Sequence, residues 1–405
     1  MEKEAKIEYK LAETEEERQA VFALRYKVYC EEMGFHSACA DHKLKILKEP
    51  LDDCRPALFY ASMGGNVIAT ICTNFMDLID NPAILEEIKS YEGLSLFIEA
   101  FPLKALSFTG RLMVLEHLRN SSIAGILVSK VFEHGKNYGV LFDFIAAAPS
   151  LVELYEQLGY RRYANNFFNP EFGYRVPMVL LWDDIEHLQA VHSPFLRIAK
   201  KYKNSRETAE WFNKTFSIHT GHINKRLVST EEFWETLSER YHIAEGQREI
   251  PLLAGLTEEE KHQFLDKSTV LHCQKGDHII QQGETGDEMF VLLSGAVDIL
   301  EDTKGKDGKL HTVATFGPGE IFGEMAFVRK QKRAAHVIAQ MDADVLVLTQ
   351  TFLRRSMKNH PEVTAKVLLN LSVILCDRLG QSTENWMKSV RHNKALRYLA
   401  KNFKQ

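Results

Sequence analysis

The sequence predicts an α/β region with a mixed sheet, a helical connector, and an α+β region built on a β-roll or jelly roll with a long C-terminal helix. Three observations predict this. Strand-like and helix-like runs alternate up to about residue 185. The chain then turns to charged helical runs, broken at Pro194 and Gly221. From Val270 to Thr349 short β-type runs recur at regular intervals, with Gly276, Gly283, Gly286, Gly295, Gly308, Gly317 and Gly319 at the turns. The expected divisions are 1–185, 186–250 and 251–405.

The elements follow from local pattern. Thr14 caps a helix expected over Glu15–Met33, with Val21, Leu24, Val28 and Tyr29 on one face. Leu58–Ser62 and Val67–Thr73 flank Gly64-Gly65-Asn66, a hairpin signal. Ser107–Leu115 reads as a strand, followed by a helix opening at Arg119–Ala124 and running to about Tyr138. Leu141–Ala146 is a buried-type strand, Ser150–Leu158 a helix stopped by Gly159, and Val176–Trp182 a closing strand. In the connector, Leu196–Tyr202, Glu207–Phe216 and Thr230–Tyr241 read as helices anchored by Trp211, Phe212, Phe216, Phe233 and Trp234. A connector packed on both neighbours can carry a signal. Thr257–Leu265 is a capped helix. Two helices follow the strands, the second running from Pro361 towards Trp386, and a short one spans Asn393–Phe403.

Composition narrows the function classes. The chain has 405 residues, enough for two or three domains, with 45% apolar and 26% charged residues, as in globular proteins. A net charge of −5 provides no basic field for nucleic acid. The N-terminus lacks an apolar signal region, and no apolar run approaches membrane-spanning length. Six scattered cysteines predict a reducing, cytoplasmic setting. Cys30, His36, Cys39, His42 and Cys54 crowd together, but without paired Cys-x-x-Cys spacing, so no metal is expected.

Gly317–Val337 carries the densest chemistry. Gly323 permits a tight turn into a short helix at Glu324–Phe327, whose free N–H groups suit an anion. Arg333 lies nine residues on and can fork onto a phosphate. Glu324 is an acceptor suited to a sugar hydroxyl. Together they describe a sugar-phosphate ligand.

Phe322-Gly323-Glu324-x-Ala326, then Arg333-Ala334-Ala335-x-Val337, resembles the phosphate-binding cassette of cyclic-nucleotide-binding domains. The resemblance implies a site formed by Phe322, Gly323, Glu324, Met325, Ala326, Arg333, Ala334 and Ala335. Glu324 would take the ribose 2′-hydroxyl, Arg333 the cyclic phosphate, and the Ala335 N–H would assist. Asp377–Glu384 resembles the dimer helix of bacterial catabolite-activator-type regulators. That implies Ser382 and Thr383 on the adenine amino group, one from each subunit, hence cyclic AMP as effector and a homodimer. Ala334 stands where guanine-preferring relatives usually carry Thr. Leu368, Leu371, Leu375 and Leu379 form a stripe suited to a helix pair or to packing on the β-roll. With no recognition helix after Phe403, DNA readout is not expected.

In the first region, Leu112-x-Val114 precedes Arg119-x-x-Ser122-x-Ala124, a strand feeding small residues at a helix start. Tyr155 lies four residues before Gly159-Tyr160. Together these resemble the acyl-CoA N-acyltransferase (GNAT) superfamily. The resemblance implies that Val114, Arg119, Ser122, Ile123 and Ala124 hold the pyrophosphate of the cofactor, and that Tyr155 protonates the leaving thiolate. Ser122 replaces the family's first Gly. Leu24–Phe35 looks like the opening helix of the N-acyl amino acid and acyl-homoserine lactone synthases. That narrower resemblance implies Arg25, Tyr29 and Asp53 at the acceptor site and Arg111 in catalysis. Cys72 stands near a family Arg, and Phe108 where lactone synthases place an acid. Glu31, Glu32 and Glu99 are unranked substitutes for the base. Two functions fit: a nucleotide-regulated N-acyltransferase using a CoA or acyl-carrier-protein thioester and an amine, or a cyclic AMP sensor whose acyltransferase fold is an inactive scaffold.

Overall fold

The first sheet is mixed and eight-stranded. Its order is β1 (Ile7–Leu11), β4 (Ala57–Met63), β5 (Asn66–Phe75), β6 (Leu106–Val114), β7 (Phe142–Ala147), β10 (Gly173–Leu181) and β8 (Arg161–Arg162), with β9 (Phe167–Asn169) paired to β10. A separate ribbon joins β2 (Ala40–Asp41) to β3 (Ile46–Leu47). The helices of this part are α1 (Glu15–Tyr26), α2 (Pro82–Lys89), α3 (Leu94–Ala100), α4 (Ile123–Tyr138), α5 (Val152–Leu158), α6 (Ile185–Ala190), α7 (Leu196–Ala199) and α8 (Glu207–Thr215). These elements belong to a computed structural model describing residues 6–35, 37–119, 121–216, 227, 250–265, 268–302, 310–329 and 331–402. Within it, side chains are described as far as Arg391. The helix expected at Thr230–Tyr241, with Phe233 and Trp234, lies outside the described residues, as does His36.

Local chemistry explains the main elements. Thr14 and Glu17 form a reciprocal capping box on α1. The helix then widens to a π-helical turn over Lys27–Glu32 instead of continuing to Met33 as an ordinary α-helix. Gly64 and Gly65, at φ 58° and 83°, supply the two left-handed positions of the β4–β5 turn. Strand β1, α2 and α3 were not expected from the sequence.

The parallel step positions the site. Strands β6 and β7 are the parallel neighbours of this sheet and pair only through Leu106–Phe142, Ser107–Asp143 and Phe108–Phe144. The strands run 9 and 6 residues, so they part beyond this short ladder. Strand β6 bulges there: Thr70 faces Met113 and Cys72 faces Gly110, leaving one extra residue in β6. Arg111 sits in the bulge at φ 56°, a left-handed position uncommon for any residue but glycine.

The second part packs two four-stranded sheets. One orders β11 (Thr269–Cys273), β18 (Ala343–Thr349), β13 (Glu288–Ser294) and β16 (Ile321–Phe322). The other orders β12 (His278–Ile280), β17 (His336–Ala339), β14 (Val297–Asp302) and β15 (Leu310–Phe316). Its helices are α9 (Glu258–Leu265), α10 (Glu324–Arg329), α11 (Gln350–Asn359) and α12 (Pro361–Asn402). The separate short helix expected from Asn393 does not form. Helix α12 runs unbroken for 42 residues, because nothing after Pro361 interrupts it but a tolerated Gly380.

The expected leucine stripe splits. Leu371 is buried, and Leu368 and Leu375 pack against the β-roll core, whereas Leu379 is exposed. An outward face of α12 instead carries Leu369, Val373, Leu379, Trp386 and Met387.

The described connector packs on helices α4 and α3 of the first part. Phe195 stacks on Phe132 at 4.4 Å, and Phe216 on Phe97 at 5.1 Å. The two parts touch directly through β8–β10. Arg162 donates to the Val270 carbonyl at 2.8 Å, Asn166 to the His272 carbonyl at 2.8 Å, and Tyr174 to Asp277 at 2.6 Å. Among the described residues no helix is long and apolar enough to cross a membrane.

Gly135 lets α4 approach Trp182 so closely that a Cβ there would fall within the indole ring. Gly135→Ala is therefore expected to destabilise the fold by about 1–3 kcal/mol despite the better helix propensity of Ala. Urea denaturation of both proteins measures this.

Candidate functional site

The nucleotide-type site is built from β16, α10 and the turn before β17. Gly323, at φ 79°, turns the chain from β16 into α10. Arg333 reaches back into this turn. Its guanidinium donates to the carbonyls of Glu288 at 2.8 Å and Gly323 at 3.0 Å, and pairs with Glu288 Oε1 at 3.3 Å. The side chain is only 2% exposed, and its Nε is buried without a partner. An orphaned buried donor on a charged group is costly, and an anion in the adjoining cavity would relieve it. That cavity holds about 120 Å3 and is lined by Phe322, Gly323, Glu324, Met325, Ala326, Arg333, Ala334 and Ala335, together with residues such as Phe316 and Arg378. Eight residues expected from the cassette are thus brought to one cavity wall.

Arg378 was missed as a functional residue. It projects from α12, pairs with Glu324 Oε1 at 3.0 Å, donates to the Ile321 carbonyl at 2.6 Å, and lies 4.7 Å over the Phe316 ring. It therefore ties the long helix to the acid expected to meet the ribose. The available signal was its position one turn before Ser382. Ser382 and Thr383 are exposed and do not line the cavity in this chain; Thr383 back-bonds to the Leu379 carbonyl at 2.8 Å.

The first region gathers a second cluster around the bulge in β6. Arg111 makes a two-pronged pair with Glu49, at 2.7 and 2.5 Å. It lies 4.6 Å over Phe172 and 6.0 Å over Tyr29. Arg25 is fully buried and pairs with Asp52 at 2.6 Å, with Nε and Nη2 left unpartnered. The acid beside Arg25 is therefore Asp52, a correction to Asp53, which is exposed and pairs with Lys48 at 2.6 Å. Glu49 and Asp52 cap the 3-10 turn at Pro50–Asp53, and this fixes which of the two adjacent aspartates turns inward. Cys72 is buried, and that burial pushes its thiol up to about 11. Phe108 packs on Phe144 at 5.3 Å and contributes only apolar contact.

Helix α4 opens at Ile123; Ser122 supplies no side-chain cap, and the Ile123 N–H donates to the Ser121 hydroxyl at 3.4 Å. Arg119 bends back to the Val114 carbonyl at 2.9 Å and pairs with Glu32 at 2.6 Å. Of the other base candidates, Glu31 pairs with Lys45 at the surface and Glu99 is exposed on α3. Tyr155 packs edge-on against Tyr160 at 5.4 Å, and burial raises its phenol to about 12. Among the described residues no set of His, Cys, Asp and Glu converges as a metal site; His42 bonds instead to the Tyr26 hydroxyl.

Beneath the parting strands lies Asp143, which the sequence did not single out. It is fully buried and accepts from Ser107 at 2.5 Å, Thr109 at 2.8 Å and Tyr160 at 2.5 Å. Burial raises its carboxyl to about 6 from an ordinary 3.8, although the three hydroxyls oppose the rise. Between these values the fold keeps a proton that the unfolded chain loses. The stability associated with Asp143 is thus present below about pH 4 and lost as pH rises through 6, by about 3 kcal/mol. Asp143→Asn is expected to remove that slope. Unfolding free energies of both proteins at pH 4 and pH 7 check this.

Comparison with known proteins bears on the second part. Residues 270–360 match the family model for the cyclic nucleotide-binding domain. The chain is 29% identical over 150 residues to mouse cGMP-dependent protein kinase 2, a match covering 37% of this chain and 20% of the kinase. It is 30% identical over 132 residues to the cyclic AMP receptor protein of Thermus thermophilus, covering 33% of this chain and 58% of the receptor. The crystal structure of the catabolite activator protein of Thermus thermophilus aligns with a TM-score of 0.30 at 30% identity, over 33% of this chain and 59% of that one. The chain thus spans less than two thirds of each of these proteins. The C-terminal part is a cyclic nucleotide-binding domain similar to that of catabolite-activator-type regulators.

Proposed function

We propose that this protein is a cyclic-nucleotide-regulated N-acyltransferase. Its N-terminal domain moves an acyl group from a CoA or carrier-protein thioester to an amine, and its C-terminal domain binds cyclic AMP and sets that activity. One observation carries the transferase half: the parallel pair β6–β7 ends after three residue pairs beside a bulged Arg111. A parted parallel pair exposes unpaired backbone groups in a cleft, where an acyl thioester can add its own amide hydrogen bonds. Helix α4, uncapped at Ser122, supports a pyrophosphate site at Ile123 and Ala124, with Arg119 and Val114 beside it.

The chemistry balances without a metal. The amine attacks the thioester carbon, the C–N bond forms and the C–S bond breaks; the proton shed by the amine passes to water, and Tyr155 regains from water the proton it gives to sulfur. Tyr155, held protonated by burial, donates a hydrogen bond and then the proton to the departing sulfur. Tyr29 and Arg111 form the acceptor wall, with the fully buried Arg25–Asp52 pair supporting it from within.

In the nucleotide domain, Arg333, which lines the cavity, takes the cyclic phosphate, and Glu324 takes the ribose hydroxyl. Ser382 and Thr383 reach adenine when the exposed apolar face of α12 meets that of a second copy. A sensor whose N-terminal domain is an inactive scaffold is favoured by one observation: both Arg119 and Arg111 are already engaged by carboxylates. Calorimetric titration with acyl-CoA, followed by turnover on amines, separates the two. Binding without turnover would support the scaffold.

Three outcomes follow. Arg333→Ala should weaken cyclic AMP binding by about 2–5 kcal/mol, read by calorimetry. In competition titrations cyclic AMP should outbind cyclic GMP, because Ala334 has no hydroxyl for a guanine amino group; a discrimination of about 1–3 kcal/mol is expected. Tyr155→Phe should lower kcat with little change in acyl-CoA affinity, since its hydroxyl acts in the transition state.

A further inference from the structure

The seam between the two parts is built from side chains that cap an open strand edge. Strand β11 ends its sheet, so its outward carbonyls meet no neighbouring strand. Two of them, on Val270 and His272, accept from Arg162 and Asn166 of the first part, each at 2.8 Å. They lie two residues apart, hence on one side of the strand.

Arg162 does more than cap this edge. Its side chain is only 2% exposed. One arm, Nη1, donates to the Val270 carbonyl, and the other, Nη2, pairs with Glu156 Oε1 at 2.9 Å. Glu156 is buried and stands on α5 directly after Tyr155. Helix α5 has seven residues, too few to hold itself by backbone bonds alone. Its buried residues are Val152, Glu156 and Leu158, whereas Leu154 lies open to solvent. One of its three anchors is therefore an acid, and a buried acid is held where its cation stands. Two further ties act on the end of the helix: Ser193 donates to the Leu158 carbonyl at 2.5 Å, and Tyr160 to Asp143 at 2.5 Å. Both stay within the first part. Of these three ties, that of Arg162 reaches the second.

We propose that Arg162 is a positioning residue for acyl transfer: its bridge from the Val270 carbonyl to Glu156 sets helix α5 against the docked nucleotide-binding domain, and so sets where the Tyr155 hydroxyl meets the leaving sulfur. The proposal rests on the role given to Tyr155 above, and it makes the second part a structural member of the transfer site. A guanidinium suits this place because its planar fork aims two donors in fixed, separate directions. A lysine would keep the acid compensated but has no fork to hold both partners in one geometry. A misplacement of about 1 Å at a reacting group can cost about a hundredfold in rate.

Arg162→Lys in the full chain tests this. A second variant, Arg162→Met with Glu156→Met, replaces the buried pair by apolar side chains, an exchange that folds commonly tolerate. Asn166→Ala removes the neighbouring cap on β11 without touching α5 and serves as the control. Acetyl-, octanoyl- and palmitoyl-CoA are offered with mixed amino acids as acceptor, and release of the CoA thiol gives kcat. Calorimetry gives the affinity for the thioester that the wild type uses best, and amide hydrogen exchange is followed across residues 152–160. Both Arg162 variants should lower kcat by about tenfold or more, leave thioester affinity unchanged and speed exchange in 152–160. Asn166→Ala should change none of the three. Undiminished kcat in both Arg162 variants, a loss of thioester affinity matching the loss of kcat, or equal losses in Asn166→Ala would overturn the positioning role while leaving acyl transfer standing. A wild-type chain that turns over none of these thioesters would remove the role of Tyr155, and this proposal with it.

Discussion

A guanidinium buried to 2% exposure must be matched by acceptors, and the β-roll is arranged to match Arg333. Two backbone carbonyls and Glu288 face it, and glycines at 286 and 323 clear its path. The match is incomplete at Nε, which is buried without a partner, while Arg333 itself lines the cavity formed with Glu324 and Arg378. The cassette turn and the Glu284–Glu288 segment both bond to this one cation, and Arg378 ties α12 to Glu324 on the wall of the same cavity. A ligand phosphate there changes the electrostatics of several elements at once.

The N-terminal region answers to a different constraint. The parallel pair inside this otherwise antiparallel sheet holds over three residue pairs, and side chains fasten the strands where its ladder ends. Asp143 gathers three hydroxyls at the base of the opening, and Arg111 occupies the bulge at its side. Holding Arg111 at φ 56° costs about 1–3 kcal/mol, offset by its two-pronged pair with Glu49 and its stacking on Phe172. Strain of this kind concentrates where geometry serves a ligand.

Much of this was legible in the sequence where spacing alone fixes geometry. The Gly64-Gly65 hairpin, the strand-to-helix step at Ser122 and the glycine-punctuated β-roll follow from local chemistry. So does the short span from Phe322 to Ala335, which holds the nucleotide cassette within one turn and one helix. Features set by distant packing were not legible. Asp52 and Asp53 are neighbours of equal propensity, and only the cap shared with Glu49 turns the first inward. Asp143 sits in a run that reads as a plain buried strand, and its hydroxyl partners come from 34 and 36 residues upstream and 17 downstream. Strand β1 is an edge strand with polar residues alternating through it, and its pairing with β4 is settled across fifty residues of chain.

The central claim is that one chain couples a nucleotide site to an acyl-transfer site, and coupling between sites is reciprocal in free energy. Calorimetric titration of acyl-CoA into the full chain, with and without saturating cyclic AMP, measures it most directly. The account predicts acyl-CoA binding in both titrations, with affinities differing by about fivefold or more. Equal affinities, or no acyl-CoA binding in either titration, would contradict it.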